Sequence, residues 1–301
     1  MKNLLIFLML ACTTGSFAQE LNLPVWTQYL ADNDFVLSPT YAGIGDNLRV
    51  RLNGLTQWVG IKDAPDNQSL YVDARVTNKN GVGLSLYNDS NGNTRQKGLK
   101  VSFSHHLTLD YPSRQFLSFG ISYNLNHFRI NIEDFQTTYN DPVIDPYVTD
   151  DRATSNNNFD VGALYRWGGY YFSFNVNNLL DKKWNDDYDF SKIEPELLRN
   201  YQIYTGYVIK SKNNKFIEME PSIFYQNFSS DGRSTTDVNF KYRKFNRKED
   251  YYWIGASYRF LNDQFFKPLN IGPMAGIMKS KFYFAYSYQI TMNDLIGYNS
   301  G

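Results

Sequence analysis

The chain has 301 residues, with 30 Lys and Arg against 30 Asp and Glu, 24 Tyr, 22 Phe and a single Cys, at a mean hydropathy of −0.48. A net charge of +0 gives no electrostatic reason to look for nucleic acid or an acidic lipid surface as partner. A chain that is polar on average yet rich in Tyr and Phe suits strands placed between apolar and wet surroundings, and so a membrane barrel better than a compact soluble core.

Residues 1–18 read as a secretory signal peptide. Lys2 is the charged start, Leu4 to Ala11 the apolar run, and Ser16-Phe17-Ala18 a small-x-small cleavage site before Gln19. The run is too short to span the ~30 Å of a bilayer's hydrocarbon. Cys12 follows Leu10-Ala11, and a lipoprotein cleavage before it is the alternative, against which Met9 and Leu10 speak. Cleavage after Ala18 leaves about 283 residues with no cysteine, which excludes disulfides and thiol catalysis. No later segment holds 18 uncharged apolar residues. The longest apolar candidate, Trp167 to Leu180, carries Asn175, Asn177 and Asn178, so a helical membrane span is excluded.

Residues 19–46 form an irregular, aromatic-containing N-terminal segment that includes Ser38-Pro39-Thr40-Tyr41-Ala42-Gly43. From residue 47 onward, side chains alternate with period 2, the signature of strands. Val50, Leu52, Gly54, Thr56 and Trp58 share one face, opposite Arg49, Arg51, Asn53 and Gln57. Leu70, Val72, Ala74 and Val76 oppose Tyr71, Asp73 and Arg75; Val82, Leu84 and Leu86 oppose Gly83, Ser85 and Tyr87. In 98–109, Leu99, Val101, Phe103 and Leu107 oppose Lys100, Ser102, Ser104 and His106. The next strand carries Leu117, Phe119, Ile121, Tyr123 and Leu125, and then its apolar phase slips to Phe128, Ile130 and Ile132. That slip predicts a bulge or tight turn near Asn126-His127, within one long bent strand.

Residues 135–157, with Asp141-Pro142, Asp145-Pro146 and Asn156-Asn157-Asn158, read as a long polar loop. Phe159 to Trp167 and Tyr170 to Val176 form a hairpin around Gly168-Gly169. A second long loop spans 180–199, where Glu194 to Arg199 could make one helical turn. Alternation resumes at 201–209, 217–225, 236–242, 252–258, more weakly at 268–278, and at 282–290. The count is thirteen strands, with a miscount at 128–132 or 268–278 as the alternative. Bacterial single-chain barrels have an even number. The reading is therefore an antiparallel transmembrane β-barrel of the outer membrane over 47–301, of fourteen strands with the last one missing. Alternation alone fits a soluble sandwich too; strand length, the signal peptide and the Tyr and Phe content favour the barrel.

Catalytic and metal-binding patterns do not assemble. His105 and His106 fall on opposite faces of one strand and His127 stands apart, a poor metal set. Asp89, Asn91 and Asn93 have the spacing that opens a calcium loop, but Gly92 is misplaced and no bidentate Glu follows. Asp181 to Asp189 could hold calcium weakly, a solvated loop being the plainer reading. Neither GxSxG, HExxH, a P-loop nor a dinucleotide fingerprint occurs. No enzyme and no cofactor are expected.

The opening stretch resembles the PorP/SprF family of type IX secretion system membrane proteins of the Bacteroidota. The residues that carry the likeness are Thr27-Gln28-Tyr29, Ser38-Pro39-Thr40-Tyr41-Ala42-Gly43 (commonly Asn-Pro-Ala-Tyr-Ala-Gly in the family), and Gln57-Trp58-x-Gly60. Asn67 to Asp73, Gly81-Val82-Gly83, Asn88-Asp89, Leu117-Ser118-Phe119-Gly120, Asp141-Pro142 and Tyr286-Ser287-Tyr288 fit as well. Ser38 and Thr40 depart from the commoner Asn and Ala. The final strand that family members usually carry beyond the position of Gly301 is absent, in agreement with the odd strand count.

The resemblance implies a non-enzymatic outer-membrane barrel that works with the type IX secretion or gliding machinery. Its expected task is to help export or surface-anchor a cognate large adhesin by recognising the adhesin's C-terminal domain, in contact with outer-membrane lipid. A porin-like channel for small solutes is the alternative, and a soluble extracellular β-protein a third. Trp26, Tyr29 and Phe35 are expected to pack against the barrel interior or rim as a partial plug.

Overall fold

A computed structural model describes residues 28–45, 47–57, 64–130, 152–180, 198–211, 215–229, 232–246, 250–262 and 265–292. Three short 3-10 turns, Gln28–Leu30, Asp34–Val36 and Pro39–Tyr41, precede the strands. These are β1 (Arg49–Thr56), β2 (Asp66–Arg75), β3 (Asn80–Asn91), β4 (Thr94–Asp110), β5 (Gln115–Ile130), β6 (Arg152–Trp167), β7 (Tyr170–Asn177) and β8 (Asn200–Tyr207). The remainder are β9 (Ile209–Lys210), β10 (Ile217–Phe228), β11 (Ser234–Phe245), β12 (Tyr251–Leu261), β13 (Lys267–Lys279), β14 (Phe282–Ser287) and β15 (Ile290–Thr291).

All of these strands belong to one antiparallel meander. Thirteen lie on a single path, β1 to β8 and then β10 to β14, while β9 pairs with β10 and β15 with β13. The expected strand count therefore agrees with the path. Because direction alternates along it, β1 and β14 run the same way, and among the described residues they are not paired.

The sheet is apolar outside and polar inside. Leu52, Val50 and Ile254 are 80%, 60% and 59% exposed, whereas Ser104, Ser118, Asp237 and Asn175 are all 0% exposed. Burying hydroxyls, amides and charges while presenting Leu, Val and Ile outward is unfavourable in water and favourable when hydrocarbon is the outer solvent. The protein is thus a membrane β-barrel in its pattern, and among the described residues no helix is long and apolar enough to cross a membrane. Inward aromatics fill the space above inward glycines. A side chain at Gly98 would meet the Tyr87 ring, one at Gly276 the Trp253 ring, and one at Gly206 the Tyr171 ring.

Two expectations are corrected. No bulge occurs at Asn126-His127: β5 pairs without a break there with both β4 and β6, and the register shift on its β4 side lies at Thr108–Asp110. Phe128 is simply inward, next to buried Asn126, while His127 and Arg129 point outward. The apolar phase inverts because the outer face turns polar toward this end of the strand, at His127 and Arg129, while Phe128 is buried on the inner face. The polar stretch 152–157 is strand rather than loop, since Arg152 to Asn157 pair with Ile130 to Leu125. Its Asn and Ser content hid a strand held by backbone pairing to a long neighbour. The helical turn expected within 194–199 falls mostly outside the described residues.

Candidate functional site

Residues 28–45 lie within the curl of the sheet and touch strands from β1 round to β12. What seats them begins with local chemistry. Ser38 caps the turn at Pro39: its Oγ accepts the Thr40 amide at 3.2 Å and lies 2.8 Å from the Thr40 hydroxyl. Proline at the first helical position loses no hydrogen bond there. The turn then ends on Gly43, whose φ of +68° an L side chain would resist. Ser38 in place of the commoner Asn keeps the cap, as both supply a side-chain oxygen.

That compact turn runs along a row of small residues. Gly81 of β3 pairs with Ser104 of β4, Ser104 with Gly120 of β5, and Gly120 with Gly162 of β6. A Cβ on Gly81 would stand 2.2 Å from the Ala42 carbonyl oxygen, one on Gly120 2.5 Å from the Thr40 amide nitrogen, and one on Gly162 2.6 Å from the Ser38 hydroxyl. Beside this row, a Cβ on Gly83 would strike the Phe35 ring at 2.3 Å. Within the row and next to it, Ser104 Oγ donates to the Ala42 carbonyl at 2.6 Å, and His106 Nε2 reaches the same oxygen at 3.0 Å. The other His106 nitrogen meets Ser118 Oγ at 2.8 Å. His106 thus holds a carbonyl of the segment.

Charge fastens both ends. Asp73, with a side chain 0% exposed, takes Arg49 and Arg51 on its two oxygens at 2.6 Å each and also accepts the Gly43 amide at 2.9 Å. Arg75 donates to the Gly43 carbonyl at 3.1 Å and Arg51 to that of Asp32 at 3.0 Å. At the other end, the Asp32 carboxylate receives Lys241 at 2.6 Å, Arg243 at 3.0 Å and the Tyr251 hydroxyl. Lys241 also donates to the Leu30 carbonyl at 2.8 Å and lies 4.4 Å from the Trp253 ring centre. Tyr29 is buried against Tyr204 and Phe224, each 5.2 Å between ring centres, and its hydroxyl donates to Asp237 at 2.9 Å.

Two carboxyl groups of the segment respond in opposite directions. Burial alone would raise Asp32, but Lys241 and Arg243 beside it hold its carboxyl well below the usual range. Burial, with Glu220 and Asp32 nearby, pushes Asp34 up to about 7 against the pull of Lys241 and Arg51. Among the described residues no group of three or more His, Cys, Asp or Glu side chains is arranged to hold a metal ion.

The residues singled out in the sequence therefore separate into two places. Tyr29, Pro39, Tyr41, Ala42 and Gly43 lie in the seat, and Tyr29, Phe35, Tyr41 and Ala42 are all buried there. Asp73, Gly81, Gly83 and Gly120, quoted from separate strands, line the same seat. Gln28 begins the first turn. Gln57 follows the far end of β1, where its amide donates to the Pro65 carbonyl at 2.9 Å. Trp26, Trp58, Gly60 and Asp141-Pro142 lie outside the described residues. Sequence reading missed His106, Ser104, Lys241 and Tyr251 as contacts of the segment; the inward phase of Ser104 and His106 was legible, their target was not.

Residues 18–301 match the family described as type IX secretion system membrane protein PorP/SprF. The chain belongs to this family. No curated protein matches it. As a PorP/SprF protein it is a membrane component associated with type IX secretion.

Proposed function

We propose that this PorP/SprF protein is an outer-membrane barrel that helps export or surface-anchor one cognate large adhesin. In this reading it recognises the adhesin's C-terminal domain alongside other components of the type IX secretion or gliding machinery. Residues 1–18 serve as the signal peptide, 19–46 as a partial plug and 47–301 as the barrel. The observation that carries the reading is the seating of 28–45 across the inner face. The segment is joined to β1, β2, β4 and β11 by hydrogen bonds, which favours a closed binding barrel over an open pore. The seat lies toward the end where the short links 76–79, 111–114 and 168–169 join strands, leaving the end of the long links 131–151 and 178–199 for contact with a client. Loops and sheet edges at that end suit a β-rich partner.

Deleting the gene is expected to remove one large protein from the cell surface and leave small-solute uptake unchanged. Single-channel recording of the purified protein provides the counter-test. A steady open pore would sink this reading in favour of a porin-like transporter.

A further inference from the structure

A cavity of about 220 Å³ lies between the N-terminal segment and the wall formed by β7, β8, β10 and β11. Asp32, Asp34 and Glu220 line it, against Lys241 and Arg243, with Tyr29, Tyr171 and Tyr204 completing the wall. Both cations are already committed. Lys241 holds Asp32 and the Leu30 carbonyl, and Arg243 holds Asp32 at 3.0 Å and Glu218 at 3.1 Å. Glu220 receives the Tyr171 hydroxyl at 2.8 Å and has Arg243 only at 3.9 Å. The Asp34 carboxylate accepts no hydrogen bond from the described residues. One negative charge in the cavity is therefore left without a close counter-charge.

We propose that Asp34 and Glu220 form a proton-operated latch on the N-terminal segment. One proton held in the cavity lets residues 28–45 keep their seat, and its loss loosens them. The groups facing Asp34 are Asp32 on its own segment, Arg51 on β1, Arg166 on β6, Glu220 on β10, and Lys241 and Arg243 on β11. The phenols of Tyr29, Tyr41, Tyr171 and Tyr204 also border it. A proton is the smallest charge that can neutralise such a site, and a carboxyl forced beside like charges takes one readily.

The sign follows from the two states. Seated, Asp34 keeps its proton up to about 7; released into water, an Asp ordinarily gives it up near 3.9. Between those values the seated state binds more protons, so seating is strongest at low pH and weakens as pH rises toward 7. Asp32 works the other way, its contribution being lost only as pH falls below the ordinary Asp value. It therefore leaves the neutral range to Asp34.

The test is amide hydrogen exchange of the full chain in lipid, with protection factors for 28–45 corrected for intrinsic rates between pH 5 and 8. Protection is expected to fall by up to about ten-fold per pH unit from 5 to 7 and to level off above. Asp34→Asn is expected to abolish the slope and to keep at pH 8 at least the protection that the wild type shows at pH 5. Glu220→Gln, which removes the like charge but leaves Asp34, is expected to move the fall to lower pH. A slope that is the same in wild type and Asp34→Asn overturns the latch. If Asn at position 34 prevents seating altogether, an unmoved midpoint in Glu220→Gln overturns it instead.

Discussion

Gly120 has no side chain because the backbone of another part of the chain occupies the space one would need. The nearest atoms to a Cβ there are the Thr40 amide nitrogen at 2.5 Å and the Pro39 carbonyl carbon at 2.6 Å, neither of which can rotate away. Gly120→Ala is therefore expected to lift the segment from its seat at a cost of roughly 1–3 kcal/mol, as overpacking does. Gly54→Ala, where nothing lies within 4 Å, is expected to stay within about 0.5 kcal/mol. Denaturant unfolding of the refolded barrel in detergent, read by fluorescence, compares the two directly. Asp73 is a second single point of control. Its carboxylate is 0% exposed and joins two arginines to the Gly43 amide. Asp73→Asn leaves Arg49 and Arg51 facing each other without that charge. Breaking a buried pair of this kind costs roughly 3–5 kcal/mol; Arg49, at 35% exposure, keeps some water, so about 3 kcal/mol is expected.

At the scale of elements, the strands were legible in the sequence and the seat was not. Period-2 alternation separates Val50 and Leu52 from Arg49 and Arg51, and Leu99 and Val101 from Lys100 and Ser102, because one solvent on each side of a sheet imposes that period. The same reading failed at 126–128 and 152–157, where the outer face turns polar and the phase no longer reports a lipid face. The seat depends on register, which aligns Gly81, Ser104, Gly120 and Gly162 across four strands although they are far apart in the chain. Nothing in a single sequence states that alignment. The trace it leaves is an inward-phase Gly or Ser in each of the four strands, together with a capped Ser-Pro turn short enough to lie along them. Replacing 28–45 by a Gly/Ser linker of equal length removes the cap, the Tyr29 anchor and the Asp32 pairs at once. Such a variant is expected to stay folded and to conduct ions in planar bilayers where the wild type does not.

For the whole molecule, the decisive property is inversion: a polar interior around an embedded segment, and an apolar exterior broad enough to contact hydrocarbon. That property makes a charge on the outer face costly in proportion to its depth. Ile121 sits near the middle of β5 and points outward at 46% exposure, while His127 and Arg129 point outward toward the end that carries the long links. If the hydrocarbon layer spans the middle of β5 and stops short of His127, Ile121→Arg should destabilise the barrel by roughly 2–4 kcal/mol and His127→Arg by about 0–1 kcal/mol. Both substitutions leave the inner face untouched, so Ser118 and Ser122 stay buried there. Equilibrium folding into lipid vesicles measures the difference. Equal costs at the two positions would mean that the polar band at 127–129 is no boundary of the membrane, and the inverted phase of β5 would then need another cause.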